Sequence, residues 1–427
     1  DQQIVADHDS STVDSRIALN PGPAVTFGQM RVSGNQRLNE RRLRKIAGFP
    51  EGKRFDPKDL ETVRSRLRRT GVFSAITLTE ADDLRQGSIL DVDLTVVEQR
   101  PRRIGAGIEV SNTDGVQVSG FWMHRNLLGG AERLRIEGRV KDIGATTSDR
   151  DDELSVRIDR PATITPDTTA YVETTLARMR EEGYREDSAS AAFGLSHIFS
   201  DRLTGDTALK YRTSRVFDEN GRTDFRVLAL DSDIILEGRD VPTNATRGYW
   251  LTVEAMPFYG LDETDSGFRA LTEARAYRSF GADDRVTLAG RGRVGTVLGS
   301  DIAATPRGFL FYSGGGGSVR GQPYQSLGVD VIPTETGTVR TGGMSVANAT
   351  AEIRFRLREN IGLVAFADYG KVWSDSGFSG VAVDHAGAGI GIRYNTPVGP
   401  LRFDVAGPIA GDTGSGVQLY LGLGQAF

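Results

Sequence analysis

Between residues 103 and 427 apolar and polar side chains alternate with a period of two, the spacing of strands with one dry and one wet face. In Ala351–Arg358, Ile353, Phe355 and Leu357 oppose Glu352, Arg354, Arg356 and Arg358. In Glu132–Val140, Leu134, Ile136 and Val140 oppose Arg133, Arg135, Glu137 and Arg139, and Glu153–Asp159 repeats the split. Sixteen such segments are legible: 103–112, 115–127, 131–142, 150–160, 166–182, 187–200, 205–217, 224–238, 247–258, 267–280, 285–298, 343–358, 361–373, 385–395, 400–408 and 416–427. They match or exceed the ~9–11 residues of a tilted membrane strand, and an even number closes an antiparallel sheet in one chain. The pattern predicts a transmembrane antiparallel β-barrel of 16 strands over residues 101–427. Short connections rich in turn formers are expected at Leu128-Gly129-Gly130, Thr204-Gly205-Asp206, Gly281-Ala282-Asp283 and Asn395–Pro400. One connection, 299–342, is far longer and needs a function of its own.

Residues 23–100 have a different texture. Val25–Val32 reads as a strand and Leu38–Ala47 as a helix closed by Gly48. Pro57–Thr70 reads as a second helix: Asp56 is the N-cap, Pro57 stands in the first turn, and Leu60, Val63 and Leu67 recur at helical spacing. Strands follow at Phe73–Thr79 and Leu90–Val97, which gives an α+β module of order β-α-α-β-β. Residues 1–22 hold a hairpin, Gln3–Ala6 with Thr12–Leu19, that reads as the remnant of a preceding copy. Asp1 carries no initiator Met and no apolar leader, so the chain reads as a mature or truncated product.

Composition narrows the function classes. With 52 basic against 57 acidic residues the net charge is −5, and no basic run tracks a phosphate backbone, so nucleic acid is not expected as a partner. The absence of cysteine removes disulfides, thiolate nucleophiles and Cys-based zinc sites. His8, His124, His197 and His385 are far apart in sequence and lack paired metal-ligand spacing, and Asp7-His8-Asp9 sits in the expected hairpin turn. Gly387-Ala388-Gly389-Ile390-Gly391 lies inside a strand with no helix after it and is not a dinucleotide loop. Ser318 lacks a nucleophile elbow. These readings point away from an enzyme, a metal or a cofactor; a hydrolase would need a Ser–His pair brought together in space.

Three motifs carry a family resemblance. Gly314–Gly321, GGGGSVRG, resembles the Val-Arg-Gly loop motif of the BamA/TamA outer-membrane insertase superfamily, although Gln322 and Pro323 intervene before the aromatic Tyr324. Phe366-Ala367-Asp368-Tyr369-Gly370 resembles that superfamily's Phe-x-Asp-x-Gly strand motif. The run Gly391–Pro408 with the ending LGQAF looks most like the TamA branch, and residues 23–100 match a POTRA module. The resemblance implies that the 299–342 loop enters the lumen and that Val319, Arg320 and Gly321 anchor it, with Arg320 paired to Asp368 and Glu352 as a second contact. A structural pin with no part in the working cycle would look the same.

Gly105 and Gly107 in the first strand and Gly416, Gly422 and Gly424 in the last leave a seam poor in gripping side chains. The resemblance favours a lateral gate there; simple wall curvature is the alternative. Val417, Leu419, Leu421, Leu423 and Phe427 share one face, which resembles the C-terminal signal of outer-membrane barrels, with Gln425 interrupting it near the periplasmic rim. The resemblance implies assembly of client outer-membrane and autotransporter polypeptides. It implies contact with outer-membrane lipid, a TamB-like inner-membrane-anchored partner docking through a periplasmic POTRA region, and no cofactor. Polypeptide export of the two-partner-secretion type and a passive porin or structural barrel are the alternatives.

Overall fold

The computed structural model describes residues 2–7, 12–17, 24–111, 115–144, 150–181, 183–334, 337–396, 399–423 and 425–427. It divides into two compact units, Asp1–Arg100 and Pro101–Phe427. His8 and Asp9 of the Asp7-His8-Asp9 triplet, and Gly424, lie outside the described residues.

In the first unit Gln2–Asp7 pairs antiparallel with Thr12–Ile17. The POTRA order follows as strand Thr26–Ser33, helices Glu40–Ala47 and Pro57–Arg69, then strands Phe73–Glu80 and Ile89–Glu98. The helix ends form where local chemistry satisfies them. Asn39 accepts from the Arg41 amide, Gly48 closes the first helix at a left-handed φ of 55°, and Asp56 accepts from Lys58 with Pro57 in the first turn. Ile89–Glu98 is central, parallel to Thr26–Ser33 and antiparallel to Phe73–Glu80. Leu43, Ile46, Leu60, Val63 and Leu67 turn the helices' apolar stripes inward, where Leu60 joins Phe27 and Val92 in one packed cluster. Asp91 accepts from the Gln29 amide at 2.8 Å and from Arg85 at 3.2 Å, and these contacts hold its carboxyl below the ordinary 3.8. Its contribution is therefore complete above that value and fades as acid takes the pH through the lowered one.

The second unit is a closed antiparallel barrel of sixteen strands, running from Arg102–Ser111 to Gln418–Leu423. Strands lengthen from 10 residues in the first to 18 in the fourteenth, Ser379–Thr396. The alternation is realised as expected: Leu154, Val172, Phe193, Ile234, Leu288 and Ile353 face outward and exposed. An apolar band of this extent is stable when hydrocarbon covers it.

Two details differ from the sequence reading. The turn expected at Thr204-Gly205-Asp206 lies earlier, because Ser200 accepts from the Arg202 and Leu203 amides. Thr204 and Gly205 are already laddered against Ile198 and His197. The last strand, Gln418–Leu423, is shorter than 416–427, and residues 425–427 lie outside the ladder.

The 299–342 connection folds into the lumen. Phe309, Leu310, Phe311, Leu327, Val329 and Met344 form one cluster with wall residues Val227, Phe258, Leu271, Val297, Val346 and Val372. It also reaches Tyr184 through Tyr312 and Asp218 through Arg307. Strands on several sides of the barrel are within reach of one loop only from inside, so the loop is a plug.

A prediction concerns the POTRA module. A Cβ at Gly28 would collide with the Asp91 carboxylate, so Gly28→Ala is expected to destabilise the module by about 1–3 kcal/mol. Faster hydrogen exchange across residues 25–99 of the intact chain checks it; unchanged exchange contradicts it.

Candidate functional site

The plug presents Arg320 from a tight glycine-rich turn. Gly314, Gly315 and Gly321 have φ of +119°, +86° and +89°, a region that side chains disfavour. Ser318 Oγ accepts from the Gly314 amide and donates to the Gly314 carbonyl, both at 2.8 Å, and the Gly315 amide donates to Gln322 at 2.9 Å. The turn is thereby fixed from within.

Arg320 is 2% exposed. Its Nε and backbone amide donate to Asp368 Oδ2 at 2.8 and 3.0 Å, and Nη2 donates to Oδ1 at 3.0 Å. Nη1 donates to Glu352 Oε1 at 2.7 Å and to Asp404 Oδ2 at 3.4 Å. The guanidinium stacks on Phe366, with 3.5 Å from its carbon to the ring centroid. A planar guanidinium suits this geometry, since it makes a forked pair to one carboxylate and keeps a face for the ring. Three carboxylates from the twelfth (Ser345–Arg356), thirteenth (Ile361–Asp375) and fifteenth (Gly399–Ala410) strands therefore meet at one plug residue.

Sequence reasoning named Val319, Arg320, Gly321, Glu352 and Asp368; it missed Asp404, Phe366 and the purpose of the glycines in strand fourteen. Val319 is fully buried beside Gly370, where a Cβ would strike Ser313. A Cβ at Gly387 would strike the Arg320 carbonyl, one at Gly389 the Val405 carbonyl and the Phe366 ring, and one at Gly391 Asp404. These alternate positions share the lumenal face, so the run opens the wall to seat the plug. The period-two spacing of the glycines was a signal available in the sequence.

Gln322 supplies a second fixing point. Fully buried, it donates to the Ala386 and Ala410 carbonyls at 2.9 and 3.1 Å and accepts from Thr413 at 2.9 Å. Thr413 also lies 2.8 Å from His385 Nδ1, whose Nε2 is 3.0 Å from Ser313 Oγ. A Ser–His pair thus does come together. Both residues are almost wholly buried, the imidazole's other partner is a hydroxyl, and Asn348 caps Ser313 at 2.8 Å. Among the described residues, the pair's hydrogen-bond partners are Thr413 and Asn348, and it forms a buried polar link between plug and wall.

The seam is the second feature. Among the described residues, the first and last strands pair at Tyr420↔Ser111 and Leu421↔Val110. On their other sides the first strand pairs from Arg102↔His124 to Ser111↔Gly115, and the last from Leu401↔Leu423 to Ala406↔Gln418. The seam glycines have distinct surroundings. Gly105 lies beneath the Phe121 ring, itself covered by Arg135 at 3.9 Å, and a Cβ at Gly107 would approach Ser119 Oγ to 2.9 Å. Gly416 occupies a turn at φ +76° in open space, and a Cβ at Gly422 would lie 3.2 Å from Arg402 Nη2.

Phe427 corrects the expected outward face. Leu419 and Leu421 point outward, but Phe427 is buried with Ala245, Tyr277 and Ala289 on the inner side. Gln425 is not a bare rim group either: Arg393 Nε donates to its Oε1 at 2.9 Å, and its Nε2 donates to Asn244 at 2.8 Å. Strand parity ceases to apply once the chain leaves the ladder.

Residues 126–427 match the Omp85 superfamily domain, and residues 25–99 match the POTRA family described as surface antigen variable number repeat. The outer membrane protein assembly factor BamA of Neisseria meningitidis serogroup B is 23% identical over 95% of this chain. The chain spans 57% of that relative's length. BamA from Haemophilus ducreyi lacking POTRA domains 1–3 superposes with a TM-score of 0.76 at 17% identity, covering 99% of this chain and 89% of that one. CdiB from Escherichia coli gives 0.59 at 14% identity, covering 99% and 80%. CdiB from Acinetobacter baumannii gives 0.65 at 12%, covering 94% and 74%.

Removing Arg320 strands buried carboxylates, a loss of about 3–5 kcal/mol unless the plug moves and water enters. Arg320→Ala and Gly387→Ala are both expected to expose residues 307–341 to protease while the barrel stays folded. Gly120→Ala, whose Cβ would meet nothing closer than 3.9 Å, is expected to leave protection unchanged. Equal protection in all three would contradict the anchor.

Proposed function

The chain belongs to the Omp85 superfamily, a family of bacterial outer-membrane barrels with periplasmic POTRA modules and no enzymatic chemistry, and we propose that it assembles client proteins in that membrane by opening its first–last seam. The observation that carries this reading is at the seam: among the described residues, none of Arg102–Glu109 pairs with the last strand. A net backbone hydrogen bond is worth about 0.5–1.5 kcal/mol in water, so a joint without pairs over this stretch is weaker than the continuous ladders of the wall. The edge of Arg102–Glu109 is already unpaired on that side, and releasing Val110 and Ser111 from the last strand makes it accessible, so its amides and carbonyls can template an incoming strand.

The finer reading is a TamA-like factor whose clients are autotransporter-like barrels and whose POTRA region receives a TamB-type partner. It rests on the Gly391–Pro408 run and the LGQAF ending. The lateral gate is then the pair of seam strands, with Gly105, Gly107 and Gly422 lowering side-chain grip; Gly416 falls in the turn before the last strand. A second reading, export of a polypeptide through the lumen, is favoured by the plug itself, because a loop that fills the lumen must move for a chain to pass. A passive porin accounts for neither the plug nor the POTRA module.

A disulfide lock tests the gate. Val110→Cys with Leu421→Cys follows the observed register in a chain without native cysteine. Oxidised protein is expected to stop assembling autotransporter-type barrels in cells, and reductant to restore it. Undiminished assembly by efficiently locked protein would refute lateral opening. Rising conductance in Arg320→Ala with assembly intact would favour export.

A further inference from the structure

The last strand is gripped from inside the barrel more than from its edge. The Gly321 amide of the plug donates to Tyr420 Oη at 3.1 Å, and Tyr420 is a last-strand residue that pairs with the first strand. Beyond the ladder, the chain end is held by two wall arginines. Arg354 Nη2 donates to the Phe427 carbonyl at 3.4 Å and its guanidinium lies 5.4 Å from the Phe427 ring. Arg393 donates to Gln425 at 2.9 Å.

Those arginines share their counter-charges with the plug. Glu352 gives Oε1 to Arg320 and Oε2 to Arg354 at 2.9 Å. Asp404 gives Oδ2 to Arg320 and Oδ1 to Arg393. Two carboxylates thus each serve one plug arginine and one arginine that holds residues 425–427. Each of these side chains is 8% exposed or less, so their mutual energies are poorly screened by solvent.

We propose that Glu352 and Asp404 couple the plug to the last strand, so that Arg354 and Arg393 are positioning residues that hold the seam short while the plug is seated. Freeing the plug leaves both carboxylates to Arg354 and Arg393 and withdraws the Gly321–Tyr420 bond, which lets the last strand realign along the first. Coupling of this kind is reciprocal: loosening the chain end must loosen the plug by the same factor. The proposal deepens the gate reading and rests on it, but its test reads structure and does not use client assembly.

Continuing the observed register by two residues places Leu423 opposite Ile108, a pair absent from the seam ladder. In an Ile108→Cys, Leu423→Cys protein reconstituted in lipid, crosslinking is expected to be slow. Arg320→Ala, or Arg354→Gln with Arg393→Gln, is each expected to raise the rate about fivefold or more. Combining them is expected to add little beyond the larger effect, because one network is released either way. Unchanged rates, or effects that multiply as if independent, would overturn the proposal. A reverse arm guards against misfolding: Phe427→Ala leaves the carboxylates intact and is expected to raise thiol labelling of Leu327→Cys, a plug position that is buried while the plug is seated. No increase there, in protein that retains the folded barrel's resistance to detergent, would also overturn it.

Discussion

One buried guanidinium sets the terms for the rest of this barrel. Withdrawing a charge from water costs several kcal/mol even after relaxation, so Arg320 is tolerable only where opposite charges and a polarisable face already wait. Asp368, Glu352, Asp404 and Phe366 supply them from three strands whose register must therefore agree. The strand-fourteen glycines follow from the same constraint, since any side chain at Gly387 or Gly391 would enter the space that the plug carbonyl or Asp404 occupies.

The arrangement of Arg320 on Phe366 over Gly389 recurs around the lumen. Arg135 covers Phe121 over Gly105, Arg157 covers Tyr171 over Gly194, and Arg269 covers Phe311 over Gly295. An aromatic ring lying flat on a glycine replaces the missing side-chain contact, and the cation above it uses the ring's negative face. In two cases all three residues belong to the wall. In the other two the plug contributes one member, Arg320 or Phe311, so the plug is seated by the same contact that stiffens the wall. Strength is then unevenly spread: strands twelve to fifteen are knitted to the plug, and among the described residues none of Arg102–Glu109 pairs across the first–last seam.

Much of this was legible in the sequence because period-two patterning dictates faces directly. All sixteen strands were readable, and so were the POTRA helices with their caps at Asp56 and Gly48. Other features lie beyond that pattern. Phe366 shares a face with Asp368 and was legible in the motif, but its stacking on Arg320 was not; Asp404 joins the Arg320 cluster because the plug loop reaches across strands thirteen to fifteen. Ser313 and His385 meet for the same reason. Phe427 was misplaced because parity describes a strand only while it stays laddered, and residues 425–427 follow hydrogen bonds to Arg393 and Asn244 instead.

The central claim is that the barrel is firm where the plug is anchored and weak at its closing seam. Hydrogen exchange in lipid bilayers reads this directly, because an amide exchanges at the rate its own ladder opens. The account predicts that amides of Ser345–Arg356 and Ile361–Asp375 remain protected long after those of Ile104–Ile108 have exchanged. Equal, deep protection of the first strand would contradict it and return the seam to the status of an ordinary wall joint.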